Sequence, residues 1–374
     1  MSKNKAFSSA ALWGTGDENI GQTDYLSTIT QKMRKTNPLL VLFFICSTVQ
    51  GQRPEVEVLE VGTKTSIRGL SVVNDNVVWV CGSNGTVGKS SNAGKNFKWV
   101  TVKGFEKTEF RDIEAFDANT ALIMAVAEPA YILKTTDGGD SWKIVYENKT
   151  PGMFLDAMDF SSNQKGIVIG DPIGGKVFIA RTMDSGNSWE ELKPEDNRLA
   201  PDSGEAFFAS SGSNVRLFNN NDWLIVSGGK RSRLMTNEGT TELPMIQGKE
   251  STGANSLDIF DDGIPDKPGS KMIVVGGDFM ADSSRDRNCF YSNNGGKTWQ
   301  TPAIAPHGYR SCVEYLGKKY ALACGLNGVD YTVDGGRTWK WISKEGFHVC
   351  RIAKNGTAVY LAGGNGKIGK LVWK

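Results

Sequence analysis

The sequence predicts an all-β fold, a seven-bladed β-propeller closed by an N-terminal strand in the last blade. A short phrase carries that reading: Ser or Thr, then Asp or Asn two residues on, Gly two further, and an aromatic three beyond. It occurs as SSNAGKNF (Ser90 to Phe97), TTDGGDSW (Thr135 to Trp142), TMDSGNSW (Thr182 to Trp189), SNNGGKTW (Ser292 to Trp299) and TVDGGRTW (Thr332 to Trp339). Its aromatic ends are 45 residues apart from Phe97 to Trp142, 47 from there to Trp189, and 40 from Trp299 to Trp339. Four short strands fit in each interval, which is the period of a propeller blade. Composition agrees: Gly is high, at 44 of 374 residues, and long helical periodicity is absent, as expected of many strands joined by turns.

Taken in chain order, residues 1–32 are polar and without period, and read as a non-native or dispensable extension. Met33-Arg34-Lys35 then precedes the apolar run PLLVLFFIC (Pro38 to Cys46), and Val49-Gln50-Gly51 offers compact residues for a signal peptidase. Residues 33–51 therefore read as a cleaved secretory signal, with Met33 as the initiator and secretion or a periplasmic location as the consequence. The apolar run is shorter than the roughly 20 residues that span a bilayer, and Ile45 before Cys46 is too large for a lipoprotein cleavage site.

Residues 52–374 read as one propeller domain. Each repeat begins with an apolar strand such as FRDIEAF (Phe110 to Phe116) or FLDAMDF (Phe154 to Phe160). A second strand ends in small residues, a third runs into the phrase and a fourth leaves it. Gly204 to Met245 reads as a degenerate blade whose strands are FFAS, WLIVSGG and RLMTNEG, with Glu242 in place of the aromatic. Phe347 to Lys374 supplies only three strands, and VEVLEV (Val56 to Val61) is assigned as the missing fourth, which removes the exposed sheet edges of an open array. Six blades are the alternative if the degenerate repeat is an insertion. Lys193 to Ser203, Asp261 to Ser270 and Asp278 to Arg287 read as surface loops.

The phrase has a turn mechanism. Asp or Asn accepts backbone N–H bonds across the hairpin, Gly takes a positive φ, and the aromatic folds back to bury its ring between blades. Asp137, Trp142, Asp184, Trp189, Asn294, Trp299, Asp334 and Trp339 are therefore assigned to scaffold.

Several function classes are excluded or weakened. The formal charge is +2, from 43 basic and 41 acidic residues, so no net field attracts nucleic acid. The two histidines, His307 and His348, are too few for a His-rich metal site. Beyond the signal lie Cys81, Cys289, Cys312, Cys324 and Cys350, without a CxxC and without zinc or iron–sulfur spacing. No metal or cofactor is expected, and a Cys312–Cys350 pair is one option because the two occupy matching places in consecutive repeats. GSNGTVGKS (Gly82 to Ser90) resembles a phosphate-binding loop but has Ser83 where the first Gly is needed, and no helix follows.

Propellers gather functional residues around the central channel. The binding candidates are Arg68, Arg111, Glu128, Asp171, Arg231, Arg233, Asp278 and Arg310, with Asn255 beside them. Arg clusters bind carboxylates bidentately. The alternative is glycoside hydrolysis by paired carboxylates, for which Asp112, Asp156, Glu205 and Glu314 are the candidates.

The phrase is that of the Asp-box, or bacterial neuraminidase repeat. Its spacing, first strands such as SIRGLS, and the N-terminal closure make residues Val56 to Lys374 resemble the photosystem II assembly and stability factors. The chain is also similar to uncharacterised secreted bacterial relatives, some labelled oxidoreductase, although no cofactor motif supports that label. The resemblance implies a non-enzymatic propeller that binds an extracytoplasmic protein partner, or a glycan, through an Arg-rich face as a monomer. It implies that role for Arg68, Arg111, Arg231, Arg233 and Arg310. Sialidases share the repeat, but Arg68 is followed by Gly69 and Leu70 rather than Ile-Pro; Tyr309, Arg310 and Glu314 are what remain of that option.

Overall fold

The computed structural model describes residues 52–59, 63–192, 199–218, 222–260 and 269–374. The proposed signal, residues 33–51, and the extension before it lie outside the described residues, as do 193–198 and 261–268 of two proposed surface loops. No helix among the described residues is long and apolar enough to cross a membrane.

Seven antiparallel sheets make a β-propeller. Blade 1 runs Ile67–Val72, Val78–Gly82, Thr86–Ser90 and Lys98–Thr101. Blade 2 begins at Phe110–Ala115, blade 3 at Leu155–Phe160, blade 6 at Cys312–Gly317, and each continues through three further strands in simple sequence order. Blade 7 contains Val349–Ile352, Val359–Ala362 and Ile368–Trp373, and its outer strand is Pro54–Leu59. The N-terminal closure is therefore as expected, shifted two residues toward the N terminus.

The degenerate blade is present but differently built. Its first strand is Val215–Phe218, followed by Asp222–Val226, Arg233–Thr236 and Gly239–Glu242. FFAS is not a strand of it. Glu205–Ala206 instead pairs with Gly228–Gly229, which extends the sheet of blade 5 built on Thr252–Phe260, Lys271–Asp278 and Cys289–Ser292. Gln300 bridges to Tyr291 where blade 5 would have a fourth strand.

Four of the five phrases join third and fourth strands, the Ser292 to Trp299 copy joins the third strand of blade 5 to the Gln300 bridge, and all close by the same bonds. In the second copy Thr135 Oγ1 donates to Asp137 Oδ1 at 2.7 Å, and the Gly139 N–H donates to Thr135 Oγ1 at 3.0 Å. Asp137 Oδ1 also accepts from the Asp140 and Ser141 amides at 3.1 and 3.0 Å. Positive φ falls on two successive residues, Gly138 and Gly139; the first of the two is Ala93 or Ser185 in other copies, and the second is Gly in all five. The aromatics pack against the preceding blade. Trp142 meets Trp79 edge-on at 6.4 Å, and Trp339 is buried against the cluster containing Ile273 and Tyr291. Six such clusters run around the ring between blades; five each fill one interface, and the sixth spans both faces of blade 7, from blade 6 to blade 1.

Candidate functional site

Four first strands carry the same irregularity. Their register against the second strand slips between Ile67 and Gly69, Phe110 and Asp112, Leu155 and Ala157, and Ala254 and Ser256. Each slip is a β-bulge whose extra residue is Arg68, Arg111, Asp156 or Asn255. A bulge leaves one residue out of the ladder and re-aims its side chain, and three of these four line one pocket of the channel.

The channel itself is blocked. Phe207 to Ser213, whose first four residues, FFAS, read from sequence as a strand of the degenerate blade, leaves that blade, blade 4, and touches every other blade. Phe207 N–H donates to Asp171 Oδ1 of blade 3 at 2.9 Å, and Ser210 Oγ donates to Asn255 Oδ1 of blade 5 at 3.2 Å. Ser211 Oγ donates to the Ser311 carbonyl beside blade 6 at 2.7 Å. Arg351 Nη2 of blade 7 donates to the Ser211 carbonyl at 2.8 Å, and Arg68 Nη1 of blade 1 reaches the Ser210 carbonyl at 3.4 Å. Gly212, at φ +62°, abuts the Asp112 carboxyl of blade 2, where a Cβ would have no room. On either side of this plug lies a pocket, and the two share no lining residue.

The lower pocket, about 170 Å³, is lined by Asp112, Glu114, Asp159, Asp258 and Glu314 together with Arg216, Arg351 and Lys354. Its acids are tied to the scaffold: four bond a backbone amide of the next blade, and Glu114 pairs with Lys354. Asp112 Oδ2 accepts from the Met158 amide at 2.7 Å, Asp159 Oδ2 from Leu217 at 2.6 Å, Asp258 Oδ2 from Tyr315 at 2.6 Å, and Glu314 Oε1 from Ile352 at 3.2 Å. Arg216 Nε donates to Asp258 Oδ1 at 2.9 Å, with Glu314 Oε2 3.6 Å from Arg216 Nη2. Burial pushes Asp112 up to about 7 and Glu314 up to about 8.

The upper pocket, about 380 Å³, combines Arg68, Arg111, Asn255 and His348 with Phe154, Phe207, Phe208, Phe279 and Tyr309. Arg68 has only its long bond to the Ser210 carbonyl, while Arg111 lies over the Phe154 ring at 5.7 Å with its buried Nε unbonded. No carboxylate among the described residues forms an ion pair with either guanidinium. Burial and then the Arg111 charge lower the Arg68 pKa. Asn255 Oδ1 accepts from Tyr309 at 2.7 Å, which leaves its buried Nδ2 without an acceptor. His348 Nδ1 donates to the Ile67 carbonyl at 2.9 Å; burial, then Arg68, hold its pKa down to about 4, so the ring is neutral at physiological pH. Asp156, fully buried, is pushed well above the usual carboxylate range by burial and then by the Asp171 charge. The result is a surplus of donors and positive charge in an aromatic cavity.

Of the other candidates, Asp171 lines this pocket, with its pKa raised by burial. Arg310 is fully buried in an ion pair with Asp330 and donates to Asn327 Oδ1 at 2.6 Å. Arg233 is buried on Glu205, with Nε to Oε1 at 2.9 Å, and Arg231 pairs with Asp202 and with Glu242 at 3.3 Å. Glu128 accepts from the Gly152 amide at 2.7 Å on the exposed surface, and Asp278 caps Met280 at 3.0 Å. The five arginines expected on one face therefore divide: Arg68 and Arg111 face the pocket, and Arg231, Arg233 and Arg310 are occupied by acids. The four carboxylates weighed for hydrolysis divide too. Asp112 and Glu314 share the lower pocket, Glu205 is neutralised by Arg233, and Asp156 is sealed on the other side of the plug. Sequence reasoning missed Phe154, Phe208, Phe279 and His348; their signal is proximity to the bulge positions, which only blade register reveals.

Fold and site together define a closed, plugged seven-bladed propeller with a cationic, aromatic vestibule. Residues 52–190 match the family described as photosynthesis system II assembly factor YCF48. Over that segment, which is less than half of the chain, the sequence is similar to that family. Similar solved structures include YCF48 bound to D1 peptide, with a TM-score of 0.60 and 18% identity over 85% of this chain and 95% of that one. YCF48 from Cyanidioschyzon merolae gives 0.57 and 16% over 84% of this chain and 98% of that one. The WD40 β-propeller domain of Doa1 gives 0.57 and 13% over 86% and 97%. At these identities the likeness is one of fold. No curated protein matches the chain in sequence.

Proposed function

We propose that this protein is a non-enzymatic binding propeller whose upper vestibule takes a carboxylate-bearing segment of a protein partner. One observation carries the reading: Arg68 and Arg111 are aimed into the pocket by bulges and lack an anion, while Arg111 Nε and Asn255 Nδ2 are buried donors without acceptors. A carboxylate answers all of these at once, since a guanidinium binds it through paired charge-assisted bonds. The phenyl rings around them suit an apolar neighbour of that carboxylate. A structure of the same fold is of YCF48 bound to a D1 peptide, so peptide capture has a precedent on this scaffold.

The test uses an immobilised array of peptides ending in a free carboxylate or in an amide, with a sialylated glycan array beside it. We expect binding to free-carboxylate peptides, weakened about 10-fold or more by the double variant Arg68→Ala/Arg111→Ala, as for loss of charged hydrogen bonds. Equal binding by wild type and double variant overturns the reading, and retention on the glycan array alone reassigns the ligand.

The export reading rests on residues 33–51 and is proposed with it: the partner would then be extracytoplasmic. N-terminal sequencing of exported protein is expected to begin at Gln52; a start upstream of Arg34 refutes cleavage. Size-exclusion chromatography with light scattering, expected to give a single-chain mass, tests the monomer.

A further inference from the structure

Three of the five cysteines beyond the proposed signal converge. Cys312 and Cys324 are register partners on the first two strands of blade 6, and Cys350 lies on the first strand of blade 7. All three are fully buried, and their sulfurs lie within 4.8 Å of one another, Cys312 and Cys350 at 3.8 Å. Cys81 in blade 1 and Cys289 in blade 5 stand outside the group.

We propose that Cys312, Cys324 and Cys350 form a trigonal thiolate site for a soft monovalent cation, Cu(I). Metal–thiolate bonds of about 2.3 Å in a planar triangle place sulfurs about 4 Å apart, so the observed cluster needs a contraction of under an ångström. The donor set selects the metal. Zinc takes four ligands in closed sites, and no fourth Cys, His, Asp or Glu joins these three among the described residues. Thiolates favour Cu(I) among first-row ions. Binding exchanges three thiol protons for one Cu(I) and moves no electron. The site then carries two negative charges, and a counter-charge is already in place: Arg351 Nη1 lies 3.0 Å from Cys312 Sγ. Arg351 also lines the lower pocket, so the same guanidinium borders both that pocket and the thiols. Spacing in sequence conceals this site because its ligands come from three strands.

The experiment is an anaerobic titration of the full chain, in a Cys46→Ser background, with Cu(I) acetonitrile complex against bathocuproine disulfonate. We expect one copper retained per chain and X-ray absorption to count three sulfurs. Cys324→Ser, checked for folding by circular dichroism, is expected to lose the retained copper, while Cys81→Ser and Cys289→Ser keep it. Failure of the wild-type chain to retain copper, a coordination shell of two sulfurs or of nitrogen and oxygen, or a Cys312–Cys350 disulfide in the freshly isolated protein each overturns the proposal. The wild-type sulfur count decides the matter even if a variant misfolds.

Discussion

Individual residues in the two pockets make opposite demands on stability. Arg68 is desolvated and faces Arg111, so its charge is held at a cost that only a ligand anion removes. Arg68→Met should therefore leave the melting temperature unchanged or raise it while weakening peptide capture, the mark of a binding group; a melting temperature that falls by several degrees would make Arg68 scaffold. Asp112 tests the lower pocket. Its pKa is raised from 3.8 to about 7, so the folded state binds more protons than the unfolded chain between those values. Its stabilising contribution is full below about 3.8 and is lost as pH rises to about 7. Denaturant titrations of wild type and Asp112→Asn from pH 4 to 8 should show the wild-type advantage shrinking by on the order of a few kcal/mol; a constant difference would contradict it. These roles were only partly legible in the sequence. Arg68 and Arg111 could be named because a repeat locates first strands. What separates them from Arg233 and Arg310 is the presence or absence of a facing acid, Glu205 or Asp330. Those pairings depend on contacts between loops and blades that no local pattern encodes.

At the scale of elements, the repeated phrase was legible because its bonds are local. Thr135, Asp137 and Gly139 satisfy one another within a few residues, and the aromatic packs at the seam with the preceding blade, as Trp142 does on Trp79. Trp339 is the most enclosed of these rings that also bonds, its Nε1 donating to the Gly336 carbonyl at 3.2 Å. Truncation to Ala should cost about 3–5 kcal/mol in urea unfolding, the usual range for a buried Trp, and a loss below about 1 kcal/mol would deny the ring an interblade role. The plug was illegible for the opposite reason. FFAS has the composition of a strand, and what diverts it across the channel is non-local: Asp171 holding the Phe207 amide, Ser311 and Arg351 holding Ser211. Gly212 is its narrowest point. Gly212→Val combines a positive φ with a clash against Asp112, so hydrogen exchange should accelerate around residues 207–213 before the blades themselves loosen.

For the whole molecule, the decisive contact is the one between the two ends of the domain. Pro54–Leu59 pairs in full register with Ile368–Trp373, and the Arg53 and Lys374 backbones exchange hydrogen bonds at 2.6 and 3.0 Å. The ring is thus held by the outer strand of one blade, which is also the strand most remote in sequence from its neighbours. Removing residues 52–59 exposes the 368–373 edge and lifts Val56 and Leu59 off the cluster around Phe347 and Tyr360. An unpaired, apolar edge recruits other strands, so the truncated chain should melt lower and show higher-order species by light scattering. A permuted chain separates this closure from a general effect of shortening. Lys374 joined to Arg53 through Asn-Gly forms a two-residue hairpin, and new ends at Lys103–Gly104 fall in a turn where Gly104 has open space around it. That permutant keeps every strand and makes the weakest link of the ring covalent and local. It should fold to the same seven blades and unfold more slowly than the parent chain, because the seam no longer opens by loss of a terminal strand. Equal or faster unfolding would place the first opening event at another blade interface.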